Sequence, residues 1–447
     1  MSTDTDTIFA RASAPGKSGV AVYRISGPAA FMVAGQLIRK EIKIRETMLA
    51  SICDPKDGSL IDRGLIVGFQ GPASFTGEDV VELHLHGARA VEISISGTLV
   101  GMGVRPAEAG EFTLRAFRHG KLDLAQVEAL ADLIDSETIQ QKRQALGQLG
   151  GGLSAAAEQL RAELLRIMTP LEADIDFPDE GDVPAAIAAR ASPAIDALQT
   201  SLTDFLLHSE RARKIRTGIN VVIIGPPNAG KSSLINALAG APVAIVSDIA
   251  GTTRDVVEVR LDLNGQLATI ADTAGLRHTP ADAVEAEGMA RALARASEAD
   301  LRIGVLDPRT TPVSRETISE LDVGDILVWS HSDLEPAPPM EDIPTGVTVL
   351  TASGMSGAGV EALIGKLAGA IGNAPNDDVG LLTRTRHVHA VESAIAALSR
   401  AKEKLAVAPE LAAEDIRLAA RSLGSITGTV GVEEVLGEIF SSFCIGK

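Results

Sequence analysis

The residues best suited to chemistry are the nine from Gly225 to Ser233, GPPNAGKSS, which fit the spacing G-x-x-x-x-G-K-S. A short apolar run ending in glycine, GINVVIIG, precedes them, and the helix-forming SSLINALAG overlaps their end. Strand, glycine-rich turn and helix, in that order, are the context this motif requires. In such a loop the backbone N–H groups of Asn228, Ala229, Gly230, Lys231, Ser232 and Ser233 face a phosphate chain. The Lys231 ammonium reaches the β and γ oxygens, and the Ser232 hydroxyl faces a Mg²⁺ ion.

Two downstream segments extend the same chemistry. Asp272-Thr273-Ala274-Gly275 follows the apolar LATI. Asp272 there serves the water shell of the metal, and the Gly275 N–H senses a γ-phosphate. Between the two lies Ser247-Asp248-Ile249-Ala250-Gly251-Thr252-Thr253, continuing to Arg254 and Asp255. A threonine in such a loop ligates Mg²⁺ while a triphosphate is bound and lets go after hydrolysis. Taken alone, this segment also reads as a Thr- and Gly-rich turn.

Base choice falls to the residues after the run ending at Trp329. Guanine-selective proteins usually carry Asn-Lys-x-Asp there; this chain has Ser330-His331-Ser332-Asp333. Asp333 would accept from guanine N1 and N2, and a carboxylate facing adenine would meet a repulsive acceptor. Guanine preference is therefore expected, with weaker binding because no lysine stem packs the base. Ser353, in SGMSGAG, fits the loop that supports the base, with Gly354 where alanine is commoner.

The position that often carries a water-orienting glutamine is Leu276, which cannot orient water. Arg254 and Arg277 lie nearby without forming an evident arginine finger. Glu285, in AVEAEG, is the candidate water-positioning group, although by itself it reads more readily as a solvated carboxylate at a helix start. Asn228 could help ligate a monovalent cation where an arginine finger would lie.

These groups need a scaffold. Runs at 267–271, 301–306, 325–329 and 346–350 resemble GINVVIIG and alternate with helical stretches. That alternation predicts a doubly wound α/β domain over 218–376. Before it, strand-like runs at 18–26, 64–69 and 79–87, with a helical stretch over 88–102, predict a small α+β domain over 1–119. Apolar positions at helical spacing fill 120–217, with breaks at Gly150–Gly152 and at 178–184 and a helix over 185–213. Helical patterning resumes over 377–447. The α/β domain thus reads as an insertion into a helical domain, the alternative being two separate helical domains.

The chain has 447 residues, which at roughly 150 residues per domain suggests two to four domains. Its net charge of −18 excludes a surface that grips nucleic acid everywhere, since phosphate contacts come from Lys and Arg; any such contact needs a local patch or a partner. Two cysteines, Cys53 and Cys444, form no disulfide framework and fit a reducing cytoplasm. No signal-peptide pattern and no apolar run of about 18 residues is evident, so no membrane association is expected.

Several long motifs in one order give the chain a resemblance to a known family. They are DTIFARASAPGKSGVAVYRISG, FTGEDVVELHLHG, GEFTLRAF, GKLDLAQVEALADLID, GPPNAGKSS, DIAGTTRD, DTAGLR and the terminal FCIGK. The chain resembles, over its whole length, the bacterial tRNA uridine-5-carboxymethylaminomethyl modification GTPases, the MnmE/TrmE family. The resemblance implies a multidomain α/β plus α protein. Its parts would be an N-terminal α+β folate-binding and dimerisation domain, a split helical domain and an inserted P-loop GTPase domain. It implies a homodimeric, potassium-activated GTP hydrolase whose G domains meet. By resemblance, Asn228, Ser247, Ile249 and Thr252 ligate K⁺, Ser232 and Thr253 ligate Mg²⁺, and Glu285 lies in the family's V-E-x-x-G context as the catalytic group. A 5-formyl-tetrahydrofolate-type cofactor would contact Arg24, Glu82, Lys121 and Lys447. The implied partner is the FAD- and NADH-using MnmG, in a heterotetramer or larger complex acting on carbon 5 of the tRNA wobble uridine.

The chain departs from the family at Ser330 and His331, and at Ser247, where threonine is usual. Cys444 reads either as a catalytic thiol or as a packed, redox-sensitive cysteine. His84 and His86 share a strand face, and without further ligands they read as structural. Two rival readings share the nucleotide motifs: a ribosome-assembly GTPase, and a folate-binding module whose G domain only senses nucleotide.

Overall fold

Among the described residues, two six-stranded sheets and a set of helices form the protein. The computed structural model describes residues 6–176, 184–245, 258–272, 299–310, 312–339, 343–372, 380–430, 436, 437, 439, 440, 443 and 446, with backbone alone at 173–176, 184–190 and 272. The chain divides into two compact units. One comprises Met1–Ala131, Gln148–Gln199 and Ala390–Lys447; the other comprises Asp132–Gly147 and Thr200–His389.

In the first unit, β1 (Ile8–Arg11), β2 (Ser18–Ser26), β3 (Met48–Cys53), β4 (Leu60–Phe69), β5 (Val80–Gly87) and β6 (Arg105–Pro106) form a sheet in the order β3-β4-β5-β2-β1-β6. All neighbours are antiparallel except β1 and β6. Alternation decides its two faces. Ala21, Tyr23 and Ile25 of β2 and Val81, Leu83 and Leu85 of β5 are buried with Val33 and Leu37 of α1 (Ala30–Ile38) and Ile95 and Leu99 of α2 (Arg89–Gly101). The intervening Arg24, Glu82 and His84 point to the other face, as the period of two requires. After α3 (Glu111–Arg118) and α4 (Leu124–Ile134), the long α6 (Gly152–Asp176) packs against α13 (Pro409–Thr427), which follows α12 (Thr385–Lys404).

In the second unit, β7 (Ile219–Ile224), β8 (Glu258–Leu263), β9 (Gln266–Asp272), β10 (Leu301–Leu306), β11 (Ile326–Trp329) and β12 (Thr348–Thr351) lie in the order β12-β11-β10-β7-β9-β8. Every pair is parallel except β8 with β9. Its central strands are buried on both faces. Val221, Ile223, Ile303, Val305, Ile326 and Val328 pack under α9 (Lys231–Ala239) and α11 (Val360–Ile371). Val222, Ile224, Leu306, Leu327 and Trp329 pack on the opposite side with Ile318 of α10 (Arg315–Ser319). Continuous apolar strands of this kind are what a parallel sheet covered on both sides demands.

The expected strands and the break at Gly150–Gly152 are all present. The helical stretch expected over 185–213 is instead two helices, α7 (Pro184–Leu207) and α8 (Ser209–Thr217), parted at His208. Gly380 approaches the His208 carbonyl so closely that a methyl group there would lie 2.6 Å from it. That is a tertiary contact the local pattern does not carry. A second break separates α4 from α5 (Ile139–Leu149), where Gln141 accepts from the Glu137 and Thr138 N–H groups. The expected loop at 178–184 lies almost wholly outside the described residues.

Candidate nucleotide-binding site

β7 lies between β10 and β9 in the second sheet, where the strand order reverses direction. In doubly wound sheets the crevice at the carboxyl ends of such strands is the ligand site. The loop Gly225–Gly230 leaves β7 at that point and leads directly into α9. Gly225 has φ +149°, and a methyl group on it would lie 2.3 Å from the Val305 carbonyl oxygen of β10. Only glycine lets the loop turn so close to the neighbouring strand. Asn228 is in the left-handed region at φ +62°, with its side chain exposed on the loop.

Lys231 is 4% exposed, and its Nζ donates to the carbonyls of Gly225 at 2.8 Å and Pro226 at 2.7 Å. The ammonium is thereby drawn back over the loop it belongs to. Ser232 is exposed at the first turn of α9. The first N–H groups of α9 and the positive end of its helix dipole meet there, an arrangement that favours an anion.

The base-reading segment lies against this loop. Ser330, buried, donates its hydroxyl to the Leu306 carbonyl at 3.1 Å and lies 2.8 Å from His331 Nδ1. A methyl group on Gly230 would lie 3.1 Å from His331 Cε1, so the imidazole borders the phosphate loop. The Ser353 hydroxyl, bonded to the exposed Asp333, holds that carboxyl below its usual range. Ser353 Oγ also accepts from the N–H of Ser356 at 3.1 Å. Gly354 is explained by packing: a methyl group on it would lie 2.4 Å from the Ser233 carbonyl carbon and 2.6 Å from the Leu234 N. Alanine, commoner at this place, does not fit here.

Asp307 and Arg309 were not singled out from the sequence. Asp307, at the end of β10, takes two hydrogen bonds from the Arg309 guanidinium, at 2.8 and 3.0 Å, which hold its carboxyl down to about 2. Its position just after an apolar strand was the available signal. Of the other expected nucleotide and metal residues, Ser247, Asp248, Ile249, Ala250, Gly251, Thr252, Thr253, Thr273, Ala274, Gly275 and Glu285 lie outside the described residues, as do Cys444 and Lys447. Asp272 ends β9 beside Ile223 of β7, which puts its backbone at the mouth of the same crevice.

In the first unit Arg24 and Glu82 face each other on β2 and β5, with Arg24 Nε 3.0 Å and Nη2 2.9 Å from Glu82 Oε1. The guanidinium also lies over the rings of Phe75 at 5.2 Å and Phe112 at 5.7 Å. Those two aromatics were not anticipated, although Phe75 opens the motif FTGEDVVELHLHG. Lys121 is exposed just beyond α3, its N–H bonded to the Ala116 carbonyl. His86 is bound to Asp62 at 2.8 Å, and His84 Nε2 lies 3.5 Å from Glu82. Among the described residues no three His, Cys, Asp or Glu side chains gather as a metal site.

Sheet order, phosphate loop and base-reading segment together define a P-loop protein of the GTPase class. The profile of the "MnmE helical domain" matches residues 124–444, and that of the "GTP-binding protein TrmE N-terminus" matches 7–121. The tRNA modification GTPase MnmE of Parvibaculum lavamentivorans is 48% identical over 99% of this chain and 100% of its own length. That of Caulobacter vibrioides is 46% identical over 99% and 100%. Among solved structures, the G domain of the T. maritima FeoB iron transporter is 26% identical over 34% of this chain and 98% of its own, with a TM-score of 0.25, too low to bear on the argument. The chain belongs to the MnmE family of tRNA modification GTPases, and it is a GTP hydrolase of mixed α/β architecture.

Proposed function

We propose that this protein is a potassium-activated GTPase that acts, with an FAD-dependent partner, on carbon 5 of the wobble uridine of certain tRNAs. The observation that carries the nucleotide half is Lys231, buried at the start of α9 and held by carbonyls of its own loop. A phosphate chain offers that ammonium charged acceptors, which make stronger bonds than these two carbonyls do. The loop N–H groups then orient the β and γ phosphates, and Asp333, set by Ser353, reads the guanine edge.

Mg²⁺ suits the oxygen donor that Ser232 presents, and Asn228 presents an amide oxygen on the exposed side of the loop, fitting a monovalent cation. Thr253 would complete the Mg²⁺ set, and Ser247, Ile249 and Thr252 the K⁺ set. K⁺ there supplies positive charge to the developing transition state. Glu285 positions the attacking water, since Leu276 cannot. The G domains of a homodimer meet for hydrolysis, and the resulting change of conformation serves the tRNA reaction.

The domains would be 1–119 for folate binding and dimerisation, 218–376 for GTP, and 120–217 with 377–447 as one helical domain. Asp132 supports the insertion: its carboxylate binds Arg216 at 3.4 Å and Arg384 at 2.7 Å, close before and after the α/β part. In the first domain the Arg24–Glu82 pair offers a cation and a carboxylate, and the exposed Phe75 a stacking face, to a 5-formyl-tetrahydrofolate-type cofactor. Lys121 and Lys447 would meet its acidic tail. The tRNA and the partner MnmG are taken from the family; the setting is the cytoplasm.

Phosphate release from GTP in KCl and in NaCl tests the reading, with ATP as control and Glu285→Ala alongside. Fast turnover with GTP and K⁺ alone, lost in the variant, is expected. Equal turnover in both salts would overturn cation activation, and an active variant would overturn the role of Glu285. Nucleoside analysis of tRNA from a deletion strain tests the second half: an unmodified wobble uridine is expected.

A further inference from the structure

The family's base-packing lysine is His331 here, and the structure shows how that ring is held. The residue sits at φ +51°, a left-handed conformation in which His is several-fold enriched among non-glycine residues. Ser330 spends its hydroxyl proton on the Leu306 carbonyl, so at the 2.8 Å contact Ser330 Oγ accepts and His331 Nδ1–H donates. Asp307 Oδ2 stands 3.5 Å from the same nitrogen and is fixed by Arg309. The ring is thus gripped at Nδ1 from two sides, while Cε1 borders Gly230 of the phosphate loop. Two residues further on lies Asp333, the carboxylate that reads the base edge.

With Nδ1 committed to Ser330 and Asp307, that edge of the ring is not available to a base, and its flat faces are the surfaces left for contact. Guanine presents a π-face that an aromatic ring stacks against.

We propose that the His331 imidazole is a stacking platform for the guanine ring, replacing the missing lysine stem, and that Asp307 and Ser330 are the positioning residues that hold it. This rests on the reading of 225–233 as the phosphate site. It turns the departure at 331 from a loss into an exchange of one packing surface for another. Arg309 acts at one remove, by fixing Asp307.

The test is calorimetric binding of GDP, with pyrophosphate as a probe of the phosphate loop alone, to wild type, His331→Ala, His331→Phe, Asp307→Asn and Lys231→Ala. Base–aromatic stacking predicts that His331→Ala weakens GDP roughly tenfold or more. His331→Phe, which keeps a ring but no nitrogen, stays within about threefold, and both bind pyrophosphate as wild type does. Asp307→Asn loses less than His331→Ala and adds nothing to it in the double variant, because both act through one ring. The inference is overturned if His331→Ala binds GDP like wild type while Lys231→Ala does not; the phosphate-site reading then stands. It is overturned equally if His331→Phe is as weak as His331→Ala with melting unchanged, since the ring would then act through a nitrogen. Wild type that binds neither GDP nor pyrophosphate overturns both readings.

Discussion

Arg115 and Lys231 are both buried cations, one in each unit, and their surroundings differ in kind. Arg115 is 1% exposed and bonds to the carboxylates of Asp6 at 2.6 Å, Glu111 at 3.0 Å and Glu78 at 3.1 Å. Lys231 is 4% exposed, and its bonds within the loop go to two backbone carbonyls. A cation neutralised by side-chain carboxylates belongs to the scaffold, because exchanging them for a ligand would strand buried anions. The two carbonyls that Lys231 bonds belong to the phosphate loop itself, and phosphate oxygens bond an ammonium more strongly than neutral carbonyls do. The two sheets repeat the contrast. The parallel sheet is covered on both faces, so its chemistry collects at the strand ends. The antiparallel sheet has one face free of α1 and α2, and there Arg24 and Glu82 meet across two strands.

The largest test of this comparison is Arg115→Ala. It should destabilise the first unit by about 3–5 kcal/mol in denaturant unfolding, since it leaves buried carboxylates without their partner. Nucleotide affinity should be unchanged, and a weakened GDP affinity with an intact fold would reverse the assignment. Lys231→Ala should do the opposite: GDP affinity falls about 100-fold or more by calorimetry, as for lost bonds to a charged group, while the first unit melts as before. Gly354→Ala sharpens the packing argument. Its methyl meets backbone, so the second unit should lose about 1–3 kcal/mol in the same unfolding assay, as over-packed sites do.

The smallest effect is that of acid. Burial pushes the Glu111 carboxyl up, but hydrogen bonds from Arg105, Glu108 N–H and Arg115 more than offset it, so its value in the fold lies below the ordinary one. Its contribution to stability is therefore full above the ordinary carboxylate range and is lost as the pH falls through the lower folded value. Unfolding of the first unit followed from pH 6 downward should show that loss in wild type, and Glu111→Gln should flatten it.

Much of the site was legible because its chemistry is local. Nine consecutive residues specify strand end, turn and helix start, and no distant partner is needed to recognise Lys231 or Ser232. The apolar runs of β7, β10 and β11 were legible because burial on both faces leaves continuous Val, Ile and Leu. The short β1 and β3 and the antiparallel β8 were not foreseen, since four to six residues carry little periodic signal.

The phosphate loop and the alternation of strands and helices around it follow from chain order, because each depends on neighbours along the chain, and the charge balance follows from composition. Three other features come from packing alone. Gly354 must be glycine because α9 passes within contact of it. Arg24 finds Phe75 and Phe112 from two distant segments. His331 is gripped by Asp307 because β10 and β11 run parallel and end side by side. Each is a contact between residues far apart in sequence, which chain order does not encode and packing does.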